Sequence, residues 1–249
     1  MTSRSNIPDR FKAFRIFDDE EGYRSVLVDQ CIEEQSDGDV VIKVACSSVN
    51  YKDALAGTGE GKILRKFPLN GGIDVAGTVV ESRSNKFSEG DQVLMTGCEL
   101  SEVRDGGYCE YLRAPSDWLV ALPAGLTLLE ATTLGTAGFT AALGLYRMEA
   151  LGQCPDMGTL CITGASGGVG SLAVDIFSGA GYQVTAITGK LEEFDWLHSL
   201  GAAQCISRHD LHWPESPMAS AQFAGALDTV GGDMLSGLTR VIKPWGTIA

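Results

Sequence analysis

The chain has 249 residues, 44% of them hydrophobic, and a formal net charge of −13 from 19 basic and 32 acidic side chains. This composition supports a real core and excludes a disordered polymer, and the length favours two subdomains over one. An acidic balance with no basic run argues against nucleic acid or an anionic membrane as partner; no apolar segment spans a bilayer, and the start, MTSRSNIPDR, lacks the apolar stretch of a signal peptide.

In chain order, the first half reads as β-rich. Phe11 to Phe17 and Tyr23 to Val28 suggest strands, and Val40 to Cys46 alternates as a half-buried strand does. Gly72 to Val80 and Gln92 to Thr96 read as two more, joined by a polar turn from Ser84 to Gly90, and Asp105-Gly106-Gly107 marks a turn before Tyr108 to Arg113. The pattern changes near Leu122-Pro123 and becomes helical from Thr127 to Ala150. This places one domain at 1–126 and a second, beginning with the linking helix, at 127–249.

After Gly158 strands and helices alternate: Thr159 to Thr163, helix, Gln183 to Thr188, helix, Gln204 to Ser207, a connection, Ala224 to Val230, helix, and Gly246 to Ala249. Such alternation implies a doubly wound parallel sheet with helices on both faces. The segment His209 to Ser220 reads as a surface connection, with His209 and His212 as solvated loop residues and His198 on a helix. The chain stops inside the fifth strand, so it is expected to be a fragment or a truncated product. Its seven cysteines (Cys31, Cys46, Cys98, Cys109, Cys154, Cys161, Cys205) are scattered and form no C-x-x-C pair. They read as reduced thiols in a cytoplasmic setting and disfavour structural zinc.

The run TGASGGVGSLA, Thr163 to Ala173, carries the most chemistry. An apolar strand, a glycine turn and a helix start in that order present backbone N–H groups and a positive helix end to a dinucleotide pyrophosphate. The second strand of such a unit ends about 20 residues on, where an NAD site wants a carboxylate for the ribose hydroxyls. Here the strand ends at Thr188, followed by Gly189 and Lys190. A hydroxyl and a cation suit a 2′-phosphate, which offers negative charge and acceptor oxygens only, so NADPH is expected over NADH. The alternative for Lys190 is a solvated loop lysine. Glu192 and Glu193 fit as first-turn residues of the next helix.

The linked motifs SSVNYKDALAGTGEGKI (Ser47 to Ile63), GIDVAGTV (Gly72 to Val79), DWLVALP (Asp117 to Pro123), LGTAGFTA (Leu134 to Ala141), TGASGGVGS (Thr163 to Ser171) and DTVGG (Asp228 to Gly232) span nearly the whole chain. In this order they resemble the medium-chain dehydrogenase/reductase superfamily, in its zinc-free quinone oxidoreductase-like branch and the acrylyl-CoA reductase group. The resemblance implies an α/β protein with an N-terminal β-rich GroES-like catalytic domain and a C-terminal Rossmann-type sheet, here truncated in its fifth strand. It also implies a homodimer in complete relatives. Tyr51 matches the family's tyrosine beside the nicotinamide, and Ser166, Gly167, Gly168 and Val169 match its phosphate loop. Thr188, Gly189 and Lys190 match the segment holding the adenosine phosphate, and Arg208 matches a further cofactor-binding arginine. Lys190 stands where an arginine is common, which keeps the charge and loses the bidentate fork.

Zinc-dependent relatives carry a cysteine and a G-H-E pair where this chain has Asn50 and Gly72-Ile73-Asp74, so no catalytic zinc is expected. Asn70-Gly71 replaces a more usual apolar-proline pair and is expected to loosen that turn. The chemistry that remains is hydride delivery to an electrophilic carbon, with donors for the charge that develops on the acceptor's oxygen. Asn50 and Tyr51, read as loop residues, receive polarising and proton-donating roles, and Asp53 orients Lys52 or the loop. Equally, Asn50 and Asp53 can do no more than satisfy turn backbone groups. Thr140 meets the nicotinamide end or packs its helix. Lys62, Arg65 and Lys66 form either a landing site for the phosphates of coenzyme A or a solvated charged face. Three functions follow: reduction of a short enoyl-CoA (acrylyl-CoA to propionyl-CoA), reduction of quinones or enones, or NADPH binding without turnover.

Overall fold

The computed structural model describes residues 7–214 and 221–249, so the later part of the connection expected up to Ser220 lies outside the described residues. Two compact units divide the chain, Met1–Thr136 and Ala137–Ala249.

In the first unit β1 (Phe11–Asp19) and β2 (Gly22–Gln30), nine residues each, form an antiparallel hairpin. Next come β3 (Val40–Cys46), α1 (Tyr51–Thr58), β4 (Leu69–Asn70), β5 (Asp74–Ser82), β6 (Gln92–Thr96), β7 (Tyr111–Ala114) and β8 (Val120–Ala121). They make two antiparallel sheets, ordered β2-β1-β4 and β7-β3-β5-β6-β8. The larger sheet encloses a core that includes Val40, Ile42, Val75, Val79, Val93, Met95 and Leu112. β3 departs from the expected alternation at its start. Val40, Val41 and Ile42 are all buried, because this strand lies inside the sheet between β7 and β5 and is covered on both faces there.

The Asn70 departure does not loosen its turn. The Asn70 side chain is fully buried, donating to Gln30 Oε1 (2.9 Å) and accepting from Arg15 (3.1 Å), while its N–H donates to Asp105 Oδ1 (2.9 Å). The neighbouring glycines then zip onto a second glycine turn: Gly106 N–H donates to Asn70 O, Gly107 N–H to Gly72 O and Tyr108 N–H to Gly71 O, each at 2.9 Å. A Cβ on Gly106 would stand 2.2 Å from the Gly72 carbonyl oxygen, so only glycine permits this approach.

The linking helix α2 (Leu128–Ala150) starts behind a capping box in which Thr127 and Glu130 bond reciprocally. It is not one straight helix. Gly135 takes φ 44°, ψ −151° and breaks it within the run the sequence presents as continuously helical. The division between the two units falls directly after this break.

The second unit holds β9 (Leu160–Thr163), α3 (Gly168–Gly179), β10 (Val184–Thr188), α4 (Phe194–Ser199), β11 (Ala202–Ser207), β12 (Gly225–Leu227) and α5 (Gly232–Leu238). Its sheet is parallel in the order β11-β10-β9-β12. Leu160, Ile162, Val184 and Ala186 pack against Phe177 and Val174 of α3, and both faces of the sheet are covered, which explains the continuously apolar strands. The last residues take the place expected of a fifth strand: Ile248 bridges Ala226 in parallel, and Ala226 N–H donates to Thr247 O (2.9 Å). Glu192 and Glu193 lie in a 3-10 turn that runs into α4, whereas His198 is on α4 itself. Among the described residues no helix is long and apolar enough to cross a membrane.

Candidate active site

In the second unit the strand order turns back on itself at β9, with β10 on one side and β12 on the other. A crevice at the carboxyl ends of strands is the expected ligand site at such a switch point. The structure has a cavity of about 390 Å³ there, lined among others by Ser166, Gly167, Thr188, Gly189, Lys190 and Arg208. Sequence reasoning named all six. Gly168 and Val169 open α3 directly behind Gly167, and no side chain caps this helix, so its first-turn N–H groups keep no intrahelical acceptor.

The glycines have separate tasks. Gly164 sits at φ 57°, and a Cβ there would meet Thr229 Oγ1 at 2.4 Å. On Gly170 a Cβ would meet the Gly164 carbonyl oxygen at 2.2 Å, so the last glycine of the run lets α3 press onto the turn after β9. The far wall is fixed by Thr163, whose hydroxyl donates to Asp228 and accepts from Thr229 N–H (3.0 Å).

The polar end of the cavity holds two hydroxyls and two cations. Ser166 Oγ and Thr188 Oγ1 are 2.7 Å apart, and Lys190 N–H donates to Thr188 Oγ1 at 3.1 Å. Arg208 N–H donates to Thr188 O at 2.8 Å, which brings Arg208 from the end of β11 over Gly189. A Cβ on Gly189 would lie 2.6 Å from Arg208 Nε. Both cationic side chains are exposed, and among the described residues neither has a carboxylate partner; Arg208 Nε has only a long contact to His209 Nε2, at 3.4 Å. Among the described residues no carboxylate lines the cavity. Two unpaired cations beside hydroxyls and free helix amides fit a dinucleotide carrying an extra phosphate ester.

The first unit presents Asn50, Tyr51 and Asp53, though not on a loop. Asn50 caps α1 and Tyr51 is its first residue, 81% exposed. Asp53, three residues on, reaches back to accept from Asn50 N–H (2.8 Å) and across to accept from Ile73 N–H (3.0 Å). It therefore orients the segment, whereas Lys52 pairs with Glu102. The Asn50 amide is engaged as well, donating to Asp74 Oδ2 (2.9 Å), Ser48 Oγ (3.0 Å) and Asp53 Oδ2 (3.2 Å).

Asp74, which sequence reasoning passed over, is the hub of this network. It is fully buried and accepts from Ser48 Oγ, Asn50 Nδ2, Thr136 N–H (3.1 Å) and Thr136 Oγ1 (2.7 Å). The break at Gly135 makes room for it, since a Cβ there would approach Asp74 Oδ2 to 2.8 Å. Tyr108 is a second omission. Burial, then the nearby Asp53 and Asp74 carboxylates, push its phenol well above the ordinary range, so it stays protonated and donates to Ser48 O (2.9 Å). The available signal was Asp74 itself, the only titratable residue of the Gly72-Ile73-Asp74 triplet. The Asn50 amide and the Asp74 carboxylate bond each other. Among the described residues no group of three or more His, Cys, Asp or Glu side chains is placed to hold a metal ion.

Lys62 and Arg65 are exposed in this same unit, and Arg65 Nη2 lies 4.0 Å from Glu102 Oε2. Thr140 is exposed on α2 and belongs to the second unit, but it does not line the cavity above.

Residues 36–124 match the alcohol dehydrogenase GroES-like domain. The chain is 49% identical to the putative quinone oxidoreductase YhfP of Bacillus subtilis, over 84% of this chain and 64% of that protein. A crystal structure of YhfP with NAD bound superposes with a TM-score of 0.90, covering 97% of this chain and 74% of that one at 43% identity. Identity to the acrylyl-CoA reductase AcuI of Ruegeria pomeroyi is 40%, over 93% of this chain and 71% of that protein. The yhdH oxidoreductase of Salmonella enterica, solved in complex with NADP, superposes with a TM-score of 0.90 at 41% identity, covering 95% of this chain and 73% of that one. The chain thus spans about two thirds of the length of the curated relatives it matches.

Proposed function

The chain belongs to the quinone oxidoreductase-like branch of the medium-chain dehydrogenase/reductase superfamily, in its acrylyl-CoA reductase group, and on that premise we propose that it serves NADPH-dependent, metal-free reduction of the carbon–carbon double bond of a short enoyl-CoA, acrylyl-CoA to propionyl-CoA. In this reading residues 1–126 are the catalytic domain and residues 127–249 the linking helix and NADPH-binding domain. The observation that carries it is the pair of cations, Lys190 and Arg208, in a cavity where, among the described residues, neither has a carboxylate partner and no carboxylate lines the wall.

A bound reduced nicotinamide supplies the hydride. The protein's part is to bind, orient and donate. Lys190 and Arg208 hold the 2′-phosphate, with Ser166 and Thr188 as hydroxyl donors; the amides of Gly168 and Val169 face the diphosphate, while Gly167, its own N–H donated to Gly164 O (2.8 Å), holds the turn in shape. Thr140 contributes toward the nicotinamide end. Tyr51, exposed and fixed at the first turn of α1, offers its phenol to the carbonyl oxygen on which negative charge grows. The Asn50 amide is committed to Asp74 and Ser48, so Asn50 and Asp53 act by positioning Tyr51. Lys62 and Arg65 receive the phosphates of coenzyme A. The scattered thiols suit a cytoplasmic setting.

The second reading is reduction of quinones or enones with the same cofactor, supported by the 49% identity to a putative quinone oxidoreductase. Fluorescence titration with NADPH and NADH tests the cofactor, and NADPH oxidation with acrylyl-CoA against a soluble quinone tests the acceptor. Tighter binding of NADH, or no turnover of acrylyl-CoA beside rapid turnover of the quinone, overturns the first reading.

A further inference from the structure

Three non-glycine residues of the loop after β6 hold left-handed backbone: Cys98 at φ 47°, Glu99 at φ 63° and Ser101 at φ 57°, behind Gly97 at φ 66°. Such a run is disfavoured for residues with a Cβ and persists only where the surroundings enforce it. Here the anchors are Leu100, buried in the core of the larger sheet, and Asp105, buried under Arg15 and Ser36. Between them the loop holds out Glu102.

The Glu102 carboxylate receives Lys52 Nζ on Oε1 and stands 4.0 Å from Arg65 Nη2 on Oε2. Its carbonyl accepts from Arg65 N–H at 2.7 Å, so backbone and side chain both register the 65 segment to this loop. The side chains of Lys52 and Arg65 are 39% and 75% exposed, that of Glu102 only 23%, so two solvent-facing cations converge on one sheltered anion. Lys52 directly follows Tyr51, and exposed Lys62 lies close by in sequence with no ion-pair partner among the described residues.

We propose that Glu102 is a specificity-determining residue that tempers the cationic pair of Lys52 and Arg65 against polyanionic nucleotide thioesters, so that uncharged acceptors are not shut out. The inference rests on the reading that coenzyme A lands on this unit. With Glu102 present the two cations carry a net charge of one; without it they carry two. A phosphate-bearing ligand responds to that difference, an uncharged quinone does not, and salt screens it.

The test uses the whole chain and coenzyme A itself as probe, titrated by calorimetry at low and high ionic strength. Glu102→Gln keeps the shape and removes the charge, and it should tighten coenzyme A about fivefold at low salt, with the gain vanishing at high salt and NADPH affinity unchanged. Glu99→Gln removes an equal charge from the same loop without touching Lys52 or Arg65, and should move coenzyme A affinity by less than about twofold. Lys52→Met, which leaves Glu102 facing Arg65 alone, should weaken coenzyme A, and it serves if Glu102→Gln fails to fold. Equal gains for both Gln variants, an equal change for NADPH, or unaltered binding in Glu102→Gln or Lys52→Met overturns the role of Glu102 and leaves the landing site standing. Absence of coenzyme A binding in the parent chain and every variant removes the landing site, and this inference with it.

Discussion

Arg208→Ala should separate the two nicotinamide dinucleotides. The guanidinium is exposed, has no carboxylate partner among the described residues and makes only a 3.4 Å contact to His209, so its removal breaks no ion pair of the fold. Its backbone N–H bond to Thr188 O survives the substitution. What is lost is one charge-assisted contact to a phosphate ester, about 1.5–3 kcal/mol, or roughly 10- to 150-fold in affinity. Solvent exposure screens the charge and places the expected loss near the lower end, about 10- to 30-fold for NADPH. NADH lacks the ester and should change by less than about twofold. Parallel fluorescence titrations at low and at high salt measure both constants, and the loss should shrink as salt rises. A similar loss for both dinucleotides, or no loss for NADPH, refutes the assignment of this end of the cavity to an extra phosphate.

Gly170→Ala places a methyl group 2.2 Å from the Gly164 oxygen and 2.7 Å from Ala165 Cα. It should cost about 1–3 kcal/mol or more and lower the melting temperature by roughly 5 °C, whereas Gly179→Ala, in the same helix with nothing within 4 Å, should not; equal melting temperatures contradict the packing account. Asp53→Ala strips the acceptor from two backbone amides, at Asn50 and Ile73, and should cost about 2–4 kcal/mol in urea unfolding, with Asp53→Asn milder; a loss below about 0.5 kcal/mol is incompatible with an anchoring role. The Tyr182 phenol, donating to Gln153 O at 3.1 Å, is pushed up from 10.0 to about 12 by burial and then by Glu149. A raised folded pKa stabilises fully below pH 10 and is lost as pH climbs toward 12, at up to about 1.4 kcal/mol per pH unit. Tyr182→Phe should flatten this alkaline decline, and identical declines in parent and variant dismiss it.

The second unit was legible because its determinants are local. Glycines at fixed offsets after an apolar strand, and the residues closing β10 and β11, fall within one run of sequence, and Ser166, Gly167, Thr188, Gly189, Lys190 and Arg208 line one cavity. The other half was less so. YKDALAGT has a weak apolar stripe, so α1 read as loop, although Asn50 followed three residues later by Asp53 is a helix-start signal. β4, two residues long, is below what periodicity can detect. Gly135 breaks α2 because of Asp74, which is 61 positions earlier in the chain, and no local pattern announces such a partner. Tyr108 and Glu102 matter through contacts equally remote in sequence, with Ser48 and with Lys52.

Gly189 is not held in the left-handed region, so what keeps it bare is the guanidinium overhead, 2.6 Å from where a methyl group would stand. Alanine there would evict Arg208 while every ionisable group of the cleft remained. Coenzyme preference in such a protein can therefore drift through a neutral-looking exchange between the two smallest side chains, and surveys that track charged positions alone would miss the event.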